Sequence, residues 1–174
     1  MYYYIFPTAF GYAGILFAKK PFLVKRVFLP HSKKSLLKRH ILGTGPASAA
    51  RTREASNLCQ DIQAYFNGSP LEPPWRLLDL SSLTPLQLLA LKAVSAVPRG
   101  STLTYGQIAE QVGRPRACRF VGTTLARNPF PVLIPCHRIV RANGSPGGFS
   151  GGTELKMRML ALEKITALWH NNCY

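Results

Sequence analysis

The most reactive side chains in this 174-residue chain stand together in Ile134-Pro135-Cys136-His137-Arg138-Ile139-Val140. A thiol beside an imidazole is the pair from which a cysteine nucleophile is built. The thiolate is the attacking species and a free thiol has a pKa of about 8.5, so a base or a positive field must lower the barrier to ionisation. His137 is the nearest base. In an extended segment neighbouring side chains point to opposite faces, so Cys136 and His137 would communicate only through a water or a turn at Cys136. An acid to orient the imidazole completes the arrangement, and of the seven Asp and Glu residues only Glu154 and Glu163 follow the cysteine. Glu163 falls on the last expected helix, in TELKMRMLALEKITALW, from which it can fold back. The competing reading is a packed cysteine beside a surface histidine.

A second pattern imitates chemistry. Gly148-Phe149-Ser150-Gly151-Gly152 fits G-x-S-x-G, the nucleophile elbow of serine hydrolases. The elbow needs a strand running into the serine, whereas RANGSPG precedes it here and reads as loop. No Asp follows. A glycine-rich loop covering a pocket, with backbone N–H groups free to bond a substrate, is the better reading.

The elements that must position these groups fall into two parts. The apolar start, MYYYIFPTAFGYAGILFA, has no basic residue ahead of it and is broken by Pro7, Gly11 and Gly14, so it reads as strands and not as a signal or membrane anchor. Strands are expected over about 2–6, 12–18 and 22–29. A basic segment with Lys33, Lys34, Lys38 and Arg39 reads as a solvated face, and Gly43 to Ala50 as loop. From Thr52 to Asn67, Leu58, Ile62 and Tyr65/Phe66 fall on one helical face and Gly68 stops the helix. Cys59 lies on that helix as a packing residue. Pro70, Pro73 and Pro74 mark a linker, and the boundary is placed at about residue 80.

Past the linker, helices dominate. Ser82 or Thr84 can cap a helix beginning at Pro85 and ending before Pro98. Thr104 can cap a second, YGQIAEQV, ending at Gly113. After a short turn ACRFVGTTLAR forms a third, ending before Asn128-Pro129. Two short helices joined this tightly suggest a helix-turn-helix whose later helix enters DNA. Charge supports that: 22 Lys and Arg against seven acids give a formal +15, which favours a polyanionic partner, nucleic acid first. Hydrophobic residues make up 47% of the chain, enough for a folded core. Cys59, Cys118, Cys136 and Cys173 form no CxxC pair, so zinc-ribbon, haem-attachment and thioredoxin chemistry find no support, and a reducing compartment is expected.

RNPFPVLIPCHRIV, with TYGQIA upstream and GGFSGG downstream, resembles the O6-alkylguanine-DNA alkyltransferases, also called methylated-DNA–protein-cysteine methyltransferases. The match covers about Thr84 to Glu163, and the N-terminal third resembles the family in layout only. The resemblance implies an α/β (α+β) fold. A small strand-rich, RNase H-like subdomain over residues 1–79 would precede a mainly helical domain over 80–174 with a winged helix-turn-helix-like element. It implies binding to double-stranded DNA in the minor groove, flipping of an O6-alkylguanine, and irreversible transfer of its alkyl group to Cys136. O4-alkylthymine is a candidate second substrate. His137 and Glu163 match the pair that deprotonates Cys136 through water. Tyr105 matches the tyrosine that helps protonate the leaving guanine, and Asn128 the asparagine that bridges the helix-turn-helix to the active-site strand. Arg119 matches the finger that fills the space left by the flipped base, and Thr104, Ala117 and Arg127 are carried over as further DNA contacts. Ile139, Phe149 and Ser150 match the positions around the guanine, and Lys156 a lysine adding positive potential near the thiol. Arg138 is assigned only a structural pairing.

Phe149 stands where many relatives carry tyrosine, which removes a hydroxyl contact. Some relatives hold a zinc in the N-terminal domain; with His31 and His40 but no cysteine before Cys59, none is expected here, and no cofactor either. A branch without the cysteine senses damage without repairing it, which is the alternative function. A monomer in the cytoplasm, or the nucleus of a eukaryote, is the remaining expectation.

Overall fold

The computed structural model describes residues 1–165. The chain separates into two compact units. The first is Met1–Ser81 together with Pro129–Leu133; the second is Ser82–Asn128 and the chain from Ile134 onward. Among the described residues no helix is long and apolar enough to cross a membrane. The architecture is mixed α/β, strand-rich at the N-terminal end and helical towards the C-terminal end.

In the first unit, β1 (Tyr2–Thr8), β2 (Gly11–Lys19) and β3 (Phe22–His31) form an antiparallel meander. Five consecutive residues of β2 are buried, as a central strand covered on both faces requires. The basic segment that reads as a solvated face is a helix, α1 (Lys34–Gly43). Its charged residues do face solvent, but Leu37 and Ile41, one turn apart, pack into a cluster with Tyr3, Leu16 and Phe28. Gly14 makes this packing possible, since a Cβ there would meet Ile41 Cδ1 at 3.0 Å. The stretch read as loop also contains a short strand, β4 (Ser48–Ala49), parallel to β1, so the sheet order is β3-β2-β1-β4. Helix α2 (Arg53–Phe66) follows, capped by the Thr52 side chain and burying Ala55, Leu58, Cys59, Ile62, Tyr65 and Phe66. After the proline-rich linker Leu78 bridges to Val24, and Lys25 pairs with Asp79.

The second unit is built on α3 (Pro85–Ser95), a two-residue strand β5 (Leu103–Thr104), α4 (Tyr105–Gln111), α5 (Cys118–Ala126), a second short strand β6 (Ile139–Val140) parallel to β5, and α6 (Gly152–Leu162). Capping chemistry written in the sequence fixes two of the helix starts. At Thr84 and again at Thr104 the hydroxyl accepts from the backbone N–H three residues on, while that Gln side chain accepts from the threonine N–H. Helices α3, α4 and α5 pack on one another around Ala90, Leu91, Val94, Ile108, Ala109, Val121 and Leu125. Helix α6 ends earlier than the periodicity of TELKMRMLALEKITALW suggests. Glu163 is its C-cap residue, and the end of that stretch lies outside the described residues.

Candidate active site

Among the described residues six polar or charged side chains are buried: Thr124, Asn128, His137, Arg138, Lys156 and Glu163. Five of them form bonds around one short piece of chain. Burying charge costs several kcal/mol per ion unless partners replace the lost water, so this clustering marks the part of the molecule where polar groups are placed at a thermodynamic cost.

The cysteine sits at a turn. Cys136 N–H donates to the Ile134 carbonyl (2.8 Å), and Arg138 N–H donates to that of Pro135 (3.0 Å), the latter closing one 3₁₀ turn over Cys136–Arg138 before β6 begins. The apolar run Val132-Leu133-Ile134, which the sequence suggests is an extended segment entering the core, is not extended: Val132 has φ +75° and forms a turn with Leu133 ahead of Pro135. The turn at Cys136 changes the geometry between neighbours: His137 and Arg138 reach the same carboxylate instead of opposite faces. His137 Nε2 lies 3.0 Å from Glu163 Oε1. Arg138 grips both oxygens, Nε donating to Oε2 at 2.8 Å and one terminal nitrogen to Oε1 at 3.0 Å; its other terminal nitrogen donates to the Val97 carbonyl at 2.7 Å. Glu163 is held from the other side, since Arg99 bonds the Leu162 carbonyl and Gly100 passes beside the Glu163 backbone.

Asn128, just beyond the Arg127 C-cap of α5, donates to the Ile134 carbonyl (3.1 Å) and to Cys136 Sγ (3.2 Å). Lys156, fully buried on α6, donates to the Ile139 and Pro146 carbonyls, tying the strand after the cysteine to the glycine-rich loop.

Electrostatics follow from these contacts. Burial pushes the Cys136 thiol up, against the Asn128 hydrogen bond and the Lys156 charge, which pull it down. The thiol is thus protonated at rest and needs a base. Burial lowers His137, against the Glu163 bond and charge, so the imidazole is neutral at pH 7 and able to accept a proton. Burial would raise Glu163, but the His137 and Arg138 hydrogen bonds and charges outweigh it and bring the carboxyl to about 2. Burial also lowers Lys156, to about 8, with the Cys136 charge opposing. Tyr105 is raised by burial and then by the Cys136 charge, so its phenol keeps its proton.

A cavity of about 450 Å³ opens alongside, lined by Tyr105, Cys118, Arg119, Gly122 and Ala126 on one wall and Arg141, Gly148, Phe149 and Ser150 on the other. Volumes of roughly 300–1,000 Å³ suit small-molecule-sized ligands. Tyr105 is half-buried at the first position of α4, its hydroxyl 3.5 Å from the Gly148 carbonyl. Gly147, at φ +68°, approaches so closely that a Cβ would lie 2.8 Å from that hydroxyl.

The structure thus brings together Cys136, His137, Glu163, Asn128, Lys156 and Ile139, and around the adjoining cavity Tyr105, Arg119, Phe149 and Ser150. Thr104 and Ala117 are the N-cap residues of α4 and α5. Arg138, assigned only a structural pairing from the sequence, makes such a pairing as a fork on both oxygens of Glu163, and Arg141 and Cys118, given no role there, line the cavity. Their signal was available only as proximity, since nothing in residue type distinguishes them from other surface positions.

The domain model described as 6-O-methylguanine DNA methyltransferase, DNA binding domain, matches residues 85–165. A methylated-DNA–protein-cysteine methyltransferase of Methanosarcina acetivorans is 34% identical over 94% of this chain and 98% of its own length. Proteins of the same name from Methanothermobacter thermautotrophicus and Mycobacterium leprae are 40% and 43% identical over 63% and 62% of this chain, which spans 61% and 64% of their lengths. The crystal structure of Mycobacterium tuberculosis OGT in complex with DNA has a TM-score of 0.76 at 28% identity, covering 94% of this chain and 93% of that one.

Proposed function

The chain belongs to the methylated-DNA–protein-cysteine methyltransferase family, and from that premise we propose that it repairs O6-alkylguanine in double-stranded DNA by moving the alkyl group to Cys136. The observation that carries the proposal is the buried thiol bonded by Asn128 and followed by a neutral histidine locked on an ionised glutamate. Such a thiol, 4% exposed, cannot touch a base inside a stacked duplex, so the lesion must leave the helix and enter the cavity.

In the reaction, His137 accepts the Cys136 proton through a water, and Glu163 and Arg138 hold the imidazole in place. Asn128 and Lys156 stabilise the thiolate. Sγ attacks the alkyl carbon, an S–C bond forms and the C–O6 bond breaks, its electron pair remaining on guanine. Tyr105 gives its proton to the departing base, avoiding a guanine anion in a partly dry site. The thioether that results has no route back, so each molecule acts once. Arg119, exposed on α5 at the cavity wall, serves as the finger that takes the place of the extruded base, and Phe149 and Ser150 close over it.

Intact mass after mixing with a duplex containing one O6-methylguanine tests this. The expected result is one methylene's mass added to the protein, mapped to Cys136, saturating at one per molecule and absent from Cys136→Ala. Binding without any mass change would overturn alkyl transfer and leave a damage-sensing module.

A further inference from the structure

Arg141 follows β6 directly and lines the cavity wall facing α5. A closed turn sets its backbone: Arg141 N–H donates to the Ser145 carbonyl (2.9 Å) and Gly144 N–H donates to the Arg141 carbonyl (2.9 Å). Asn143 Oδ1 stiffens the same turn by accepting from the Ser145 N–H and hydroxyl. The side-chain stem lies along Gly147, 3.4 Å from the point a Cβ would occupy there, and the Tyr105 hydroxyl comes within 2.8 Å of that same point. The glycine therefore lets the arginine and the tyrosine converge on one edge of the cavity.

Among the described residues the guanidinium has no acidic partner, since the ion pairs there use only Asp79 and Glu163 as acids. A fork of five N–H donors, exposed at a cavity mouth and unpaired, is suited to a planar or tetrahedral oxyanion. On the reading proposed above, on which this inference rests, the molecule entering the cavity is a nucleotide. Its alkylated base is neutral, and its negative charge lies on the two phosphodiesters that flank it.

We infer that Arg141 binds a phosphodiester flanking the extruded nucleotide and so sets the preference of the site for lesions in a DNA strand over the free base. Arg119 stays with the duplex, whereas Arg141 travels with the flipped residue. This separates Arg141 from a role in catalysis through Tyr105, because a change in the phenol's acidity would affect every substrate equally.

The test compares single-turnover rates on an O6-methylguanine duplex and on free O6-benzylguanine for the wild type, Arg141→Ala and Arg141→Lys. Duplexes in which each phosphate flanking the lesion is replaced in turn by an uncharged methylphosphonate complete the set. Arg141→Ala should lose about tenfold more on the duplex than on the free base, the scale of one charge-assisted hydrogen bond, with Arg141→Lys between. One methylphosphonate should slow the wild type as much as Arg141→Ala does, and should not slow Arg141→Ala further. An Arg119→Ala protein should remain sensitive to that linkage. Equal losses on duplex and free base, or no linkage whose neutralisation reproduces the variant, would overturn the inference. A wild type inert on both substrates would instead overturn the repair reading on which it rests.

Discussion

Replacing Glu163 by Gln keeps the shape of the buried side chain and removes only its charge. Glu163 is 2% exposed, and its carboxyl is lowered from 4.5 to about 2 by His137 and Arg138 against the opposing effect of burial. A depressed carboxyl contributes stability that is fully present above its unfolded pKa and disappears as pH falls through the folded one. A shift of this size corresponds to about 3 kcal/mol at 1.36 kcal/mol per unit, the same scale as the roughly 3–5 kcal/mol lost when a buried pair is broken on one side. Urea unfolding of both proteins between pH 7 and pH 2 measures it. The wild type should exceed Glu163→Gln by about 3 kcal/mol at pH 7. The gap should begin to close below about pH 4.5 and be mostly gone near pH 2, where the native carboxyl is itself half-protonated. A gap that stays constant across this range would show that the charge on Glu163 is not what holds Arg138 and His137, and the account of the buried network would fail.

Asn128→Ala removes the donor to Sγ and to the Ile134 carbonyl; the rate of thiol alkylation should fall about tenfold at pH 7, with its pH profile displaced upwards. Gly147→Ala places a methyl group against the Tyr105 hydroxyl at a positive φ, so a loss of about 1–2 kcal/mol in urea unfolding should accompany slower alkyl transfer. Thr104→Ala breaks the capping box that starts α4 and should lower stability by about 1 kcal/mol, read from the denaturation midpoint.

Local chemistry was legible where the determinant is local. Thr84 and Thr104 followed three residues later by Gln87 and Gln107 announce helix starts, and Pro85 fits the first position of α3. The Leu58, Ile62, Tyr65/Phe66 spacing announces α2. Helix α1 was hidden because most of its residues are charged or exposed and only Leu37 and Ile41 are buried, too few to show a period. At the reactive site the types Cys136 and His137 were readable, but their relation was not. An extended chain would separate His137 from Arg138, and only the turn at Cys136 brings both onto one carboxylate. Glu163 is 26 residues from His137, so its part depends on how α6 folds back, which no residue type encodes. The resemblance to a family supplied that pairing before the structure did, and the structural pairing assigned to Arg138 is a bidentate bond to the same carboxylate.

Pro129–Leu133 packs with the first unit although the chain on both sides of it belongs to the second. The Val27 N–H donates to the Pro129 carbonyl, and Phe130 and Leu133 are fully buried. For a nascent chain this sets an order of events. Residues 1–81 emerge first, and the strand that holds Pro129 must wait a few seconds, at about 5–20 residues per second, for its partner to be synthesised. Closing that contact draws together positions roughly 100 residues apart, a slow kind of step because the loop entropy is lost before the contact forms. Cys136 comes three residues after Leu133, and its histidine meets Glu163 only when the rest of α6 has been made. The reactive thiol is thus among the last parts of the molecule to mature, and a fragment cut at the proline-rich linker would retain every reactive side chain while stripping Phe130 and Leu133 of the unit they pack in.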